Sequence, residues 1–142
     1  MMLLDTNINT ELLKERSGRA DPAVAQWEST VTATELMLSV ITVQELEVGI
    51  LRLARKDPRA AAILREWLTQ YVLVTFRDRI LPVTTEIALR CATLLIDDSR
   101  TCEDALIAAT AYVHKMPIVT RNAAHFAGTG VRVINPWDKD SF

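Results

Sequence analysis

The sequence predicts an α/β domain: a central, mostly parallel sheet of four or five strands flanked by helices. Three observations carry this reading. Apolar runs of strand length recur at Met1 to Leu4, Leu36 to Ile41, Pro117 to Thr120 and Val131 to Ile134. The stretches between them space their apolar residues at helical intervals and open on helix-start signals. Strands separated by helices rather than by tight turns belong to parallel sheets.

Residues 1–5 read as a short buried strand, and Ile8 to Lys14 as a helical turn or two. Arg16-Ser17-Gly18-Arg19 reads as a loop. Asp21-Pro22 supplies a cap followed by proline in the first helical position, which predicts a helix to about Val31. Leu36 to Val40 is the second strand. Thr42 begins the next helix, whose apolar face is Val43, Leu46, Ile50, Leu53 and Ala54. Asp57-Pro58 repeats the cap-plus-proline signal ahead of a helix through Ile63, Leu64, Trp67, Leu68 and Tyr71. From Val72 to Val83 the pattern is ambiguous, with a short strand expected near Ile80 to Val83. Thr84 to Leu95 reads as a helix burying Ile87, Ala88, Cys91, Leu94 and Leu95, and Thr101 caps a helix that ends near Lys115. Pro117 to Thr120 is a strand. Gly128 and Gly130 mark a turn, and Val131 to Ile134 is the last strand before Pro136. No repeat, linker or low-complexity segment divides the chain, so residues 1–142 read as a single domain.

Composition narrows the function classes. Hydrophobic residues make up 49% of the chain, so part of the apolar surface is expected at a dimer or partner interface. A net charge of −2 argues against a protein that coats nucleic acid non-specifically. Arginines outnumber lysines 12 to 4, which suits two-pronged contacts with phosphate and fits a genomic bias equally well. Cys91 and Cys102 are too few for a disulfide framework, and no cationic, apolar leader opens the sequence. A reduced, cytoplasmic setting is expected. No apolar run reaches the ~20 residues of a membrane span.

The chemistry is concentrated in Asp5, Glu45, Asp104 and Asn122. Asp5 ends the first apolar run, Glu45 follows the second and Asn122 follows the third. Asp104 opens the stretch Ala105 to Ala111. In a parallel sheet, residues just past strand ends gather at the carboxyl edge, where a returning helix also begins. Taken singly, each has a structural explanation. Thr42-Val43-Gln44-Glu45 matches a capping box, Thr101 to Asp104 nearly does, and Asp5-Thr6-Asn7 suits an Asx-turn. Taken together, converging carboxylates call for a cation between them. Oxygen-only ligands suit Mg²⁺ or Mn²⁺ rather than zinc. His114 and His125 are isolated in the sequence, and no nucleophile elbow or phosphate loop occurs. Metal-assisted hydrolysis of a phosphodiester remains.

At these residues the chain resembles the PIN-domain ribonucleases, and is most similar to the VapC and FitB-like toxins of bacterial toxin–antitoxin pairs. Leu3-Leu4-Asp5-Thr6-Asn7 resembles the family's first acidic motif, Ser39 to Ile50 its second, Asp104 to Ala111 its third and Thr120 to Phe126 its fourth. Gly130 to Trp137 resembles the tail of the FitB-like branch. The resemblance spans essentially the whole chain. It implies a PIN-like three-layer fold and a Mg²⁺-dependent endoribonuclease, with Mn²⁺ as a substitute. It implies Asp5, Glu45 and Asp104 as catalytic, metal-binding acids, Glu45 directly or through water. Thr6, Asn7, Thr120 and Asn122 are implied as support, with Thr6 and Thr120 placing metal waters or phosphate. Arg52, Arg121 and His125 are candidate substrate contacts. Asn122 stands where the wider family often has aspartate, so one tight metal site is expected. The implied partners are RNA, a cognate antitoxin and a second copy in a homodimer or larger toxin–antitoxin assembly, with no membrane. The alternative is a PIN-like module that binds RNA or protein without cutting.

Overall fold

Strand β1 (Met2–Leu4) leads directly into α1 (Thr6–Arg16), with only Asp5 between them. The chain then runs through α2 (Pro22–Ser29), β2 (Leu36–Ser39), α3 (Val40–Ala54) and α4 (Pro58–Trp67). A π-helical turn (Leu68–Val72) and a last helical turn, α5 (Leu73–Thr75), lead to β3 (Ile80–Leu81). Helices α6 (Thr85–Asp97) and α7 (Cys102–His114) follow, then β4 (Ile118–Val119), a 3₁₀ turn (Ala123–Phe126) and β5 (Val133–Ile134). This computed structural model describes residues 1–16, 18–97 and 99–138. Ser17, within the expected loop Arg16 to Arg19, lies outside the described residues.

The five strands lie in the order β3-β2-β1-β4-β5, and every pairing is parallel. Side chains alternate across this sheet with period two. Leu4, Leu36, Leu38, Val119 and Ile134 face one buried cluster, with Ile8, Trp27, Leu46, Ile50 and Trp67 from the helices that link β1 to β2 and β2 to β3. Leu3 and Ile118 face the other, with Ile87, Cys91 and Leu94 of α6 and Ala105, Ala108 and Ala109 of α7. Helices thus cover both faces, giving three layers.

The caps do much of the local work. Asp21 accepts from the Ala23 N–H at 2.8 Å and Asp57 from the Ala60 N–H at 3.1 Å, each just before its proline. Gly128 and Gly130 both take positive φ, 77° and 79°, as the expected turn requires. Several boundaries differ from the sequence reading, among them three helix ends. Helix α1 begins at Thr6 rather than Ile8, because the Asp5 carboxylate accepts from the Thr6 N–H at 2.8 Å. Helix α2 stops at Ser29 rather than Val31. Helix α3 begins at Val40, because Ser39 Oγ caps it by accepting from the Ile41 N–H at 3.0 Å. The expected capping box at Thr42 is therefore absent, and Glu45 lies in the second turn of the helix.

Candidate active site

The strand order reverses at β1. The chain leaves it toward β2 over one face and returns to β4 over the other, which opens a crevice at its carboxyl end. Asp5 is the first residue past that end. It is buried, with 6% of its surface exposed. Its Oδ1 accepts from the Thr6 N–H, and its Oδ2 accepts from Thr120 Oγ1 at 2.7 Å and Asn7 Nδ2 at 3.3 Å. Thr120 follows β4 directly and is fully buried. Its hydroxyl therefore holds the Asp5 carboxylate from behind. The same oxygen accepts from the Asn122 N–H at 3.0 Å.

Asn7 closes the arrangement. Its Nδ2 reaches Asp5 and Thr120, while its Oδ1 accepts from the Arg121 N–H at 3.2 Å. The first turn of α1 is thereby fastened to the end of β4. Thr6 points the other way and donates to Glu45 Oε1 at 2.7 Å. One dipeptide thus couples Asp5, Glu45 and Thr120.

Asp5, Thr6, Asn7, Glu45, Thr101, Glu103, Asp104, Asn122 and His125 border one open cavity of about 450 Å³. The three expected acids, 99 residues apart in sequence from Asp5 to Asp104, share this space. Asp104 lies in the first turn of α7, where its N–H donates to Thr101 Oγ1 at 3.1 Å. Its Oδ2 meets His125 Nδ1 at 3.3 Å. His125, singled out only as a substrate contact, is thus a partner of a site acid.

Burial raises the proton affinity of Asp5 above the ordinary carboxyl range. The Thr120 and Thr6 hydrogen bonds oppose this and the Asp104 charge adds to it. Burial also raises Glu45, against the Thr6 hydrogen bond and with the charges of Asp5, Asp104 and Glu103. Such a site favours protons or another cation. The donors fit a hard divalent cation: they are all oxygens, they repel one another, and the cavity admits water. Among the described residues no three Asp, Glu, His or Cys side chains close tightly enough to form a metal cage by themselves. That is compatible with Mg²⁺, which keeps several waters and takes one or two carboxylates plus substrate phosphate.

Besides Thr120, which lies behind Asp5, two sequence candidates stand outside this cavity. The Arg121 guanidinium lies 5.3 Å from the Trp137 ring, over its face. Arg52 borders an adjoining cavity of about 280 Å³ with Gln44, Glu45, Val48, Gly49 and Glu103. Thr101, read from the sequence as a helix cap, and Glu103 prove to be walls of the acid cavity. Ser99 and Arg100 were not singled out at all. They lie in the connector before α7, where no periodicity or motif marks them.

A family model described as "PIN domain" matches residues 2–130. The chain is 32% identical to toxin FitB of Neisseria gonorrhoeae over 142 residues, covering 96% of this chain and 99% of that one. It is also 32% identical to VapC ribonuclease Y4jK of Sinorhizobium fredii over 143 residues, covering 97% and 99%. The crystal structure of FitAcB from Neisseria gonorrhoeae superposes with a TM-score of 0.83 at 32% identity, covering 96% of this chain and 99% of that one.

Proposed function

The chain belongs to the PIN domain family, and from that premise we propose that it is a divalent-metal-dependent endoribonuclease, the toxin of a VapBC-type toxin–antitoxin pair. The observation that carries this reading is the convergence of Asp5, Glu45 and Asp104 on one open cavity at the sheet's carboxyl edge. Its partners are an RNA substrate and a cognate antitoxin, and it assembles as a homodimer. Among the described residues no helix is long and apolar enough to cross a membrane.

Asp5 and Asp104 would hold a Mg²⁺ or Mn²⁺ ion directly, with Glu45 directly or through water. When bound, such an ion supplies a more acidic water and shields the charge that develops on the phosphate. The chain's own residues do the rest. Thr120 and the Thr6 N–H orient the Asp5 oxygens and favour their ionised form against the effect of burial. Thr6 occupies Glu45 Oε1 and leaves Oε2 for the attacking water. Glu45, with its raised proton affinity, takes that water's proton as the new phosphorus–oxygen bond forms and the bond to the leaving ribose oxygen breaks. The open cavity lets solvent return a proton to the leaving oxygen.

The test is cleavage of total RNA by purified protein with Mg²⁺, with Mn²⁺ and with EDTA. Cleavage with either metal that EDTA abolishes is expected. Activity that persists in EDTA overturns the metal reading, and RNA binding without cleavage at any metal concentration favours a binding module instead.

A further inference from the structure

A second cavity, of about 480 Å³, adjoins the acid cavity on its α7 side. Ser99, Arg100, Thr101, Asp104, Ala124 and His125 line it, and Thr101, Asp104 and His125 form the wall that the two cavities share. The chemistry changes across that wall. The acid cavity holds the carboxylates of Asp5, Glu45, Glu103 and Asp104. The second has Asp104 alone, faced by His125, together with hydroxyls and a guanidinium.

The second cavity is built by a tie between two elements. Arg100 Nη1 donates to the His125 carbonyl at 3.1 Å and Nη2 to the Ala127 carbonyl at 3.4 Å. These bonds bind the connector before α7 to the 3₁₀ turn and fix the guanidinium at the cavity wall. The His125 side chain is 54% exposed and so offers ring surface to an occupant. An imidazole face next to a planar guanidinium suits an unstacked nucleotide, whose base stacks on one while its sugar–phosphate meets the other.

Resting on the ribonuclease reading, we propose that this second cavity is the subsite for the RNA nucleotide that flanks the scissile phosphate. The His125 imidazole is the surface on which its base stacks, and Arg100 lies beside its sugar–phosphate. A strand crossing the shared wall then carries its next phosphate onto Asp104 and Asp5. His125 is accordingly a binding residue for the flanking base, in addition to its contact with Asp104.

Two conservative variants separate these roles. His125→Phe keeps a ring for stacking and loses the contact with Asp104. His125→Gln keeps a polar group toward Asp104 and loses the ring. The half-exposed position makes either change tolerable to the fold. Binding is read by fluorescence anisotropy of a fluorescein-labelled, unstructured RNA oligonucleotide with Mg²⁺, in an Asp5→Asn background to prevent turnover. His125→Ala and His125→Gln are each expected to weaken binding about tenfold, as loss of one stacked base does, while His125→Phe stays within about twofold. Binding that Gln preserves and Phe loses would assign His125 to Asp104 alone, and equal affinities in all variants would leave the cavity without a nucleotide. Either result overturns the subsite. Cleavage of the same oligonucleotide by the unsubstituted protein is measured in parallel. If that protein cuts no RNA, the ribonuclease reading itself has failed; if it cuts and the Phe–Gln pattern is missing, only the subsite has.

Discussion

Thr120→Val removes one hydroxyl from behind the site while keeping the shape of a fully buried side chain. Three bonds disappear: the 2.7 Å donation to Asp5 Oδ2, the acceptance of the Asn122 N–H at 3.0 Å, and the acceptance of Asn7 Nδ2 at 3.3 Å, a donor that keeps Asp5 Oδ2 as its other acceptor. Asn122 is exposed, so water replaces the second bond at little cost. The first is a hydrogen bond to a buried carboxylate, worth about 2 kcal/mol. At neutral pH the variant should therefore melt about 5–8 °C lower. The loss falls on the ionised form of Asp5, the form that the Thr120 hydroxyl favours and burial disfavours. With 1.36 kcal/mol per pH unit, the acid limb of the kcat/KM profile should move alkaline by about one and a half units, and the Mg²⁺ needed for half-maximal cleavage should rise at every pH along that limb. Thr120→Ser keeps the hydroxyl and should keep the limb in place. The assay is cleavage of a fluorogenic RNA across pH and Mg²⁺ concentration. A profile lowered by one constant factor at all pH values would show general damage rather than a change at Asp5. An unmoved limb in a normally melting variant would refute the argument.

Other outcomes follow from the same geometry. Asp5→Asn and Asp104→Asn should fold, as circular dichroism reads, and lose at least about a hundredfold in cleavage; full activity in both would return these acids to structural roles. Because burial raises both Asp5 and Glu45, the metal-free fold holds protons that the unfolded chain releases. The stability they contribute is present below about pH 4 and is lost as pH rises through the raised values. Calorimetry in EDTA should show a fall over that window which Asp5→Asn flattens and which added Mg²⁺ offsets; identical pH dependence in both proteins would contradict this. The Asn122 side chain makes no capping bond at the 3₁₀ turn, so Asn122→Asp should leave the fold intact. It should tighten Mn²⁺ binding in the absence of RNA, read by titration calorimetry; unchanged affinity, or two strong sites in the unsubstituted protein, would count against a single tight site. Light scattering should report a dimer at micromolar concentration, and a strict monomer would remove the homodimer.

What the sequence disclosed and what it hid divide along one physical line. Signals carried by a few consecutive residues were legible. Continuous apolar runs marked β1, β2 and β4, Asp21-Pro22 and Asp57-Pro58 marked two helix starts, and a lone acid after an apolar strand marked Asp5. Where two local signals competed, the tertiary environment decided. Ser39 and Thr42 both precede plausible helices, and the Thr42 to Glu45 pattern suits a cap better in isolation. The structure uses Ser39, because starting at Val40 turns Ile41 into the second buried cluster and carries Glu45 round to Thr6. Thr42 is left fully buried with its hydroxyl unpartnered, and nothing else in the structure explains that hydroxyl. Contacts between distant residues left no mark at all. Asn7 reads as a turn residue, yet it binds Thr120 and Arg121 across more than a hundred positions. Thr6 looks like an ordinary helix opener, yet it reaches Glu45 across 39. The acids themselves are announced locally because a carboxylate at the end of a buried strand or in the first turn of an apolar helix breaks the surrounding pattern. The threonines and amides that orient them satisfy every local rule, so only the folded chain shows that they belong to the same site.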